Sequence, residues 1–409
     1  MDLDNFTNKQ KTAFVGMNSQ GKTYALETIK KKYKDEVIFI ANETKANETL
    51  KNSTDSSPLV SWLERLLDLS ALKTLIDNQI NSVNFDDINQ LNNINVGLKN
   101  STVNYKGLIS ADITTNSNQW HSPGSGETFY GQLMLIEKII SSGAENPIKY
   151  LLIDEPESFL HPSLYINMCY LLKRLSKMVK VIIATHSPNI LNYFIDDLDE
   201  IIIVNNGKYT RLNNTVFYSN LINDNKKIYS LDNGYTTTKA ALSHFHEYFD
   251  IFIKPIILNS VFSKIVVIGE GIGEKILFDC IQNEYDNDLY LSSVSFVTLY
   301  GKDFIPLVIS ILSSMGLKTL VVFDEDLNSK DEINIAINDV IKNLSNKMIC
   351  FNEDIETELD IKKNKSKTFK SIYVPSVIKN LYVDRDVKLL NLIQRIRDEI
   401  YELLEIKED

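Results

Sequence analysis

The pattern that most restricts this chain is Gly16-Met17-Asn18-Ser19-Gln20-Gly21-Lys22-Thr23, which fits G-x-x-x-x-G-K-[ST]. The apolar run of residues 11–15 precedes it, and residues 22–34 follow with a helix-like mix of apolar and basic side chains. A strand entering a glycine-containing turn that opens a helix leaves backbone amides converging at the positive end of that helix, which is an anion site. In that setting Gly16, Asn18, Ser19, Gln20 and Gly21 cradle phosphate oxygens, Lys22 reaches the β- and γ-phosphates, and the Thr23 hydroxyl ligates magnesium.

Residues 150–154 read as an apolar strand that runs into Asp154-Glu155-Pro156-Glu157. Asp154 is placed to hold the magnesium directly or through water, and Glu155 to orient and deprotonate an attacking water. The next strand, residues 179–185, ends in Thr185-His186-Ser187-Pro188. A histidine at the carboxyl end of a strand in this setting is a donor for the γ-phosphate. His244 and His246, two apart on a helical stretch, diverge and read as incidental. Residues 36–41 and 200–204 add further strands, 127–140 and 163–178 helices, and 60–75 the periodicity of an inserted helical segment. Residues 81–118 are Asn-rich and give no clear period. Strands alternating with helices predict a mainly parallel α/β sheet.

A second βα alternation begins at residue 264. Its first strand ends in Glu270, with Glu274 four residues on, and a later strand, 319–323, ends in Asp324-Glu325-Asp326. Residues i and i+2 of a strand share a face, so Asp324 and Asp326 converge, and a parallel sheet delivers both strand ends to one edge. Hard oxygen ligands in such a cluster suit Mg²⁺ or Mn²⁺ and phosphodiester cleavage. Lys302, after another strand, is placed to neutralise a phosphate, and Asp354-Ile355-Glu356-Thr357-Glu358 offers a further same-face acidic set.

These motifs together resemble the OLD-family nucleases, in which an ABC-type P-loop ATPase domain is followed by a Toprim (Rossmann-like) α/β domain. The match rests on residues 16–23, LLIDEPESFLHP at 151–162, ATHSP at 184–188, FSKIVVIGEGIGEKILF at 262–278 and YGKDFIPLVISILSSMGLKTLVVFDED at 300–326. The resemblance implies ATP-regulated nicking or cutting of DNA, often in defence against phage. It implies a signature loop at Ser122-Pro123-Gly124-Ser125-Gly126-Glu127 that completes the nucleotide site of a second protomer, hence a homodimer or higher oligomer. Here the chain departs from the family: Gly124 stands where a γ-phosphate-contacting serine is usual, with Ser122 and Ser125 nearby. Family roles carry over to Glu270, Glu274, Asp324 and Asp326 as metal ligands, with Glu356 and Glu358 as further members, and a downstream catalytic lysine is Lys367 or Lys370. An accessory protein or RNA partner is also compatible with the family.

The competing reading is an ATP-dependent sensor or scaffold whose acidic domain is catalytically silent and binds partners. A topoisomerase or primase fits less well, because nothing resembles a DNA-cleaving tyrosine domain. The formal net charge of −11 argues against coating nucleic acid through overall charge but leaves a local basic groove open. No apolar run approaches the ~20 residues of a membrane helix, so no membrane partner and a cytoplasmic location are expected. Cys169, Cys280 and Cys350 show no metal or disulfide spacing and read as buried free thiols. The expected division is an ATPase domain at 1–213, a linker and helical connection at 214–262, and a Toprim-like domain with C-terminal helices at 263–409.

Overall fold

The computed structural model describes residues 6–17, 21–40, 94–100, 109–115, 125–141, 148–158, 160, 162–205, 207–211, 249–285, 288, 290–299, 301–325, 332–362 and 372–405. The chain divides into two compact units, Met1–Arg211 and Leu212–Asp409.

The first unit contains β1 (Lys11–Val15), α1 (Lys22–Lys32), β2 (Val37–Ile40), β3 (Ile94–Asn100), β4 (Ile109–Thr115), α2 (Ser125–Ser141), β5 (Tyr150–Asp154), α3 (Pro162–Leu175), β6 (Lys180–Ala184), α4 (Pro188–Phe194), β7 (Ile201–Asn205) and β8 (Lys208–Arg211). Its main sheet runs β2-β5-β6-β1-β7-β8 and is parallel except for the β7–β8 hairpin. Strands β1 and β5 are buried along their whole length, as strands covered on both faces must be. Phe14, Leu152, Ile182 and Ile202 meet Ala25, Leu26 and Ile29 of α1 on one face. The alternate residues Leu151, Ile153, Val181 and Ile183, equally buried, serve the other. In register, Asp154 lies opposite Ala184 and Ala184 opposite Phe14, so β1, β5 and β6 end level with one another. Everything placed just after those strands shares one edge of the sheet.

β3 and β4 pair antiparallel as a separate two-stranded sheet, inside the stretch for which no period was expected. The signal was there: apolar residues fall at alternate positions in INVGLKN, Ile94, Val96 and Leu98. The helical segment expected at 60–75 lies outside the described residues.

The second unit contains α5 (Lys254–Ser260), β9 (Ile265–Gly269), α6 (Ile272–Glu284), β10 (Val294–Thr298), α7 (Ile305–Ser314), β11 (Lys318–Asp324), α8 (Glu332–Leu344), β12 (Lys347–Phe351), α9 (Ile355–Glu358), α10 (Val374–Val383) and α11 (Val387–Leu404). All four strands are parallel, in the order β10-β9-β11-β12. Ile265, Val267, Leu320, Val322 and Ile349 pack with Leu277, Phe278 and Ile281 of α6 and Leu389, Ile393 and Ile396 of α11. α11 starts cleanly because the Asp386 carboxylate accepts from the amides of Lys388 and Leu389. From β9 the chain passes first to β10 on one side and then to β11 on the other. The carboxyl ends of β9 and β11 therefore flank a topological switch point, where open parallel sheets bind ligands. Among the described residues, no helix is long and apolar enough to cross a membrane.

Candidate functional site

In the first unit the β1–α1 turn is shaped by its first glycine. Gly16 has φ 144°, and a β-carbon there would lie 2.3 Å from the carbonyl oxygen of Val204 on the neighbouring strand. At the other end Gly21 caps α1 with no side chain of its own to compete for the first amides of the helix. The Tyr209 hydroxyl of β8 donates to the Gly21 carbonyl at 3.1 Å and holds that end of the turn. The Lys22 ammonium is buried and donates to the carbonyls of Gly16 (2.7 Å) and Met17 (2.9 Å). The Thr23 hydroxyl donates to Asp154 Oδ2 across the sheet edge at 2.9 Å. Residues 131 apart in sequence thus present the hydroxyl and carboxylate needed beside a magnesium triphosphate.

Glu155 follows with a left-handed backbone, φ 52°, unusual for a side chain with a β-carbon. Its amide donates to the Ala184 carbonyl at 2.8 Å, and the Ser158 hydroxyl donates to its Oε2 at 3.1 Å. His186 stands between Lys22 and Glu155: Nδ1 is 3.4 Å from the Lys22 ammonium and Nε2 is 3.7 Å from Glu155 Oε1. Burial, reinforced by Lys22 and opposed by Glu155, lowers the His186 pKa below its ordinary value, so the ring is neutral at neutral pH. With Nδ1 facing the ammonium, the ring proton belongs on Nε2, which leaves a donor aimed toward the Glu155 side. Burial also pulls Lys22 down to about 8, although Glu155, Asp154 and Glu157 all work against it.

Glu157 was not among the site residues expected from sequence. Its Oε1 accepts from the His186 amide at 2.7 Å and from the Thr185 hydroxyl at 2.8 Å. The available signal was a further acid in the same acidic tetrapeptide, three residues beyond the strand end. Asn18, Ser19, Gln20 and Ser122 lie outside the described residues. Ser125, Gly126 and Glu127 form the first turn of α2.

In the second unit the switch point gathers acids. Glu270 follows β9 directly, and its Oε2 accepts from the Asp324 amide at the end of β11 at 3.4 Å. Glu274 occupies the third position of α6, where its carboxylate accepts from the Gly271 amide at 2.8 Å. It is almost wholly buried, and burial above all, with Glu270 and Glu356 adding, pushes its pKa up to about 7. Gly269 permits this approach, since a β-carbon there would sit 2.6 Å from that of Glu274.

The further acidic set needs correction. Residues 354–358 are not a strand: Asp354 caps α9, accepting from the Thr357 amide at 2.9 Å, and Glu356 and Glu358 fall within that helix. At ~100° per residue on a helix, positions two apart point away from each other. Glu356 is buried and its charge acts on Glu274, whereas Glu358 is exposed on another side of the helix. Lys302 is also buried, donating to Asn334 Oδ1 of α8 at 3.0 Å and lying over the Phe323 ring. Asp326, Lys367 and Lys370 lie outside the described residues, as do His244 and His246.

Among the described residues, no group of three or more His, Cys, Asp or Glu side chains is arranged to hold a metal ion. The donor set still suits magnesium, which is commonly held by one or two carboxylates and completed by water and substrate phosphate. Glu270, directly after β9, and Asp324, the last residue of the adjacent β11, would supply such carboxylates.

Residues 130–192 match the model described as AAA domain, putative AbiEii toxin, Type IV TA system. Residues 261–326 match the Overcoming lysogenization defect protein-like TOPRIM domain. An AAA-type ATPase segment is thus followed along the chain by an OLD-like Toprim segment, each on its own parallel sheet. The ATPase span contains Asp154, Glu155, Glu157 and His186, and the Toprim span contains Glu270, Glu274, Lys302, Asp324 and Asp326. Over 215 residues the chain is 24% identical to Endonuclease GajA of Bacillus cereus (strain VD045), which covers 53% of this chain. The match spans 33% of that relative.

Of the three cysteines, Cys169 and Cys280 are buried free thiols, whereas Cys350 is partly exposed.

Proposed function

We propose that this chain is an ATP-hydrolysing, divalent-metal-dependent DNA endonuclease acting in defence against phage, with its Toprim site controlled by a homodimer or higher assembly of the ATPase domain. The approach of the Glu270 carboxylate to the end of β11, beside Asp324 at the switch point, carries the nuclease reading. It is supported by the likeness to Endonuclease GajA and by the OLD-like Toprim match. The ATPase reading is supported by the Thr23–Asp154 contact beside Lys22, Glu155 and His186.

In the ATPase site Lys22 neutralises terminal phosphates, Glu155 takes a proton from water, and neutral His186 donates to the γ-phosphate. In the Toprim site Glu270, Asp324 and Asp326 would hold Mg²⁺ or Mn²⁺, with Glu274 and Glu356 as further members. An ion there supplies water activation and stabilisation of the leaving oxygen. Lys302, over the ring of Phe323 beside the end of β11, would offset phosphate charge.

The deciding experiment incubates supercoiled plasmid with the full chain and Mg²⁺ or Mn²⁺, with and without ATP. Nicking or cutting is expected, abolished by Glu270→Ala and by Asp324→Ala while ATP binding persists. Lys22→Ala removes nucleotide binding, and Glu155→Gln traps ATP. Cleavage that survives both Toprim substitutions overturns the site assignment. The second reading is a nucleotide-driven sensor with a silent Toprim domain. ATP turnover without any metal-dependent cleavage would establish it.

A further inference from the structure

The ATPase site contains a second tie between its acidic turn and its histidine turn. After β5 the chain bends at Glu155 and returns through a turn whose Ser158 amide donates to the Glu155 carbonyl at 3.0 Å. That turn delivers the Glu157 side chain to the end of β6 rather than to the phosphate pocket. There one oxygen, Oε1, collects the His186 amide at 2.7 Å and the Thr185 hydroxyl at 2.8 Å. The Thr185 hydroxyl in turn accepts from the Ser187 amide at 2.9 Å, and the Ser187 hydroxyl accepts from the Ile190 amide, capping α4. Glu157, Thr185 and Ser187 thus fix the backbone on both sides of His186. Among the described residues the other Glu157 oxygen, Oε2, is buried with no hydrogen-bond partner.

This arrangement differs from that of a group doing chemistry. Asp154 faces Thr23 and Glu155 faces His186, whereas the Glu157 carboxylate makes its hydrogen bonds to the histidine turn, to the His186 amide and the Thr185 hydroxyl, and acts on Lys22 only through its charge. The distances that matter for phosphate contact, 3.4 Å from His186 to Lys22 and 3.7 Å to Glu155, depend on where that turn places the ring. We propose that Glu157 is a positioning residue: it clamps the Thr185–Ser187 turn so that His186 is held against the phosphate pocket, and ATP turnover depends on it through His186. The inference rests on the reading of this pocket as an ATPase site.

Because the clamp needs an acceptor oxygen and not a charge, glutamine should serve where alanine fails. Burial already pushes the Glu157 carboxyl above its ordinary range, so an uncharged isostere fits the environment. A shift of the ring by about 1 Å is enough to cost on the order of 100-fold in turnover.

The test measures ATP binding, kcat and KM for the full chain and for Glu157→Gln, Glu157→Ala, Thr185→Val, His186→Ala, Lys22→Ala and the double variant Glu157→Ala/His186→Ala. Expected are near-normal turnover in Glu157→Gln, a kcat loss of about 10- to 100-fold at little-changed KM in Glu157→Ala, and a smaller loss in Thr185→Val. The double variant should be no slower than His186→Ala alone, which a general folding defect would not produce. Glutamine as damaging as alanine, or losses that multiply in the double variant, overturn the positioning role. Full turnover in Glu157→Ala with loss in Lys22→Ala overturns it while sparing the ATPase reading. An unsubstituted chain that neither binds nor hydrolyses ATP overturns both.

Discussion

Gly16→Ala separates the architectural demand of the phosphate loop from its chemical one. Two costs add. A residue with a β-carbon held at φ 144° carries backbone strain of about 1–3 kcal/mol. Its β-carbon would also lie 2.3 Å from the Val204 carbonyl oxygen, an overlap with backbone that no rotamer relieves. Overpacking of that kind costs about 1–3 kcal/mol more as β7 is pushed from β1. The sum, about 2–6 kcal/mol, is a large part of the ~5–15 kcal/mol of an ordinary domain. For a unit of this size it corresponds to a fall in melting temperature on the order of 5–20 °C. Calorimetry of the full chain reads it directly, with the first unit identified as the transition that ATP raises. The matched control is Gly301→Ala: Gly301 has an extended backbone, φ 162°, and nothing within 4 Å of a new β-carbon, so its transition should stay in place. A Gly16→Ala chain that melts like the parent and binds ATP normally would refute the reasoning.

Further outcomes follow from other contacts. Lys11 is buried at the start of β1, donating to the Phe194 carbonyl, pairing with Asp196 and standing 3.3 Å from Glu200; Lys11→Ala strands Glu200 and should cost about 3 kcal/mol by denaturant titration, with a loss under ~1 kcal/mol arguing against it. Burial alone would raise Asp196, but Lys11 and Lys173 outweigh it and hold its pKa below the ordinary value. Its contribution is therefore present above ~4 and lost as pH falls through the lower folded value, and Lys11→Ala should move the acid-side drop in melting temperature to higher pH. Glu274→Gln keeps an acceptor for the Gly271 amide and removes a buried carboxylate, so stability should hold while the metal concentration for half-maximal cleavage rises about tenfold or more; an unchanged metal requirement would leave Glu274 a cap only. Burial pushes Cys169 up to about 12 and Cys280 up to about 11, so a thiol reagent should label Cys350 alone, and slowly, in native protein; rapid labelling of either buried thiol contradicts the packing.

Much of the scaffold was legible because strands buried on both faces are written as unbroken apolar runs. Lys11–Val15 and Tyr150–Asp154 were readable to the residue, and the βα alternation after residue 264 followed the same logic. What the sequence hid was direction. Glu356 and Glu358 looked paired because spacing by two implies a shared face only on a strand, and nothing local marked 355–358 as a helix except the cap at Asp354. Glu157 was hidden for the opposite reason: its neighbours in sequence drew the chemical reading, and only the turn at 156–158 shows that its carboxylate reaches sideways to the next strand. Glu274 looked like a ligand from spacing alone, and the fold adds that it also starts α6. The alternation in Ile94–Asn100 was present but surrounded by asparagines that read as loop.

The backbone of Glu155 sets resilience against output. Its left-handed φ of 52° would be relaxed by glycine, worth roughly 1–2 kcal/mol, at the cost of the carboxylate proposed to take a proton from water. A laboratory selection that rewards heat tolerance alone would therefore drift toward inert variants at this position. Any effort to toughen this ATPase has to screen for phosphate release at the same time.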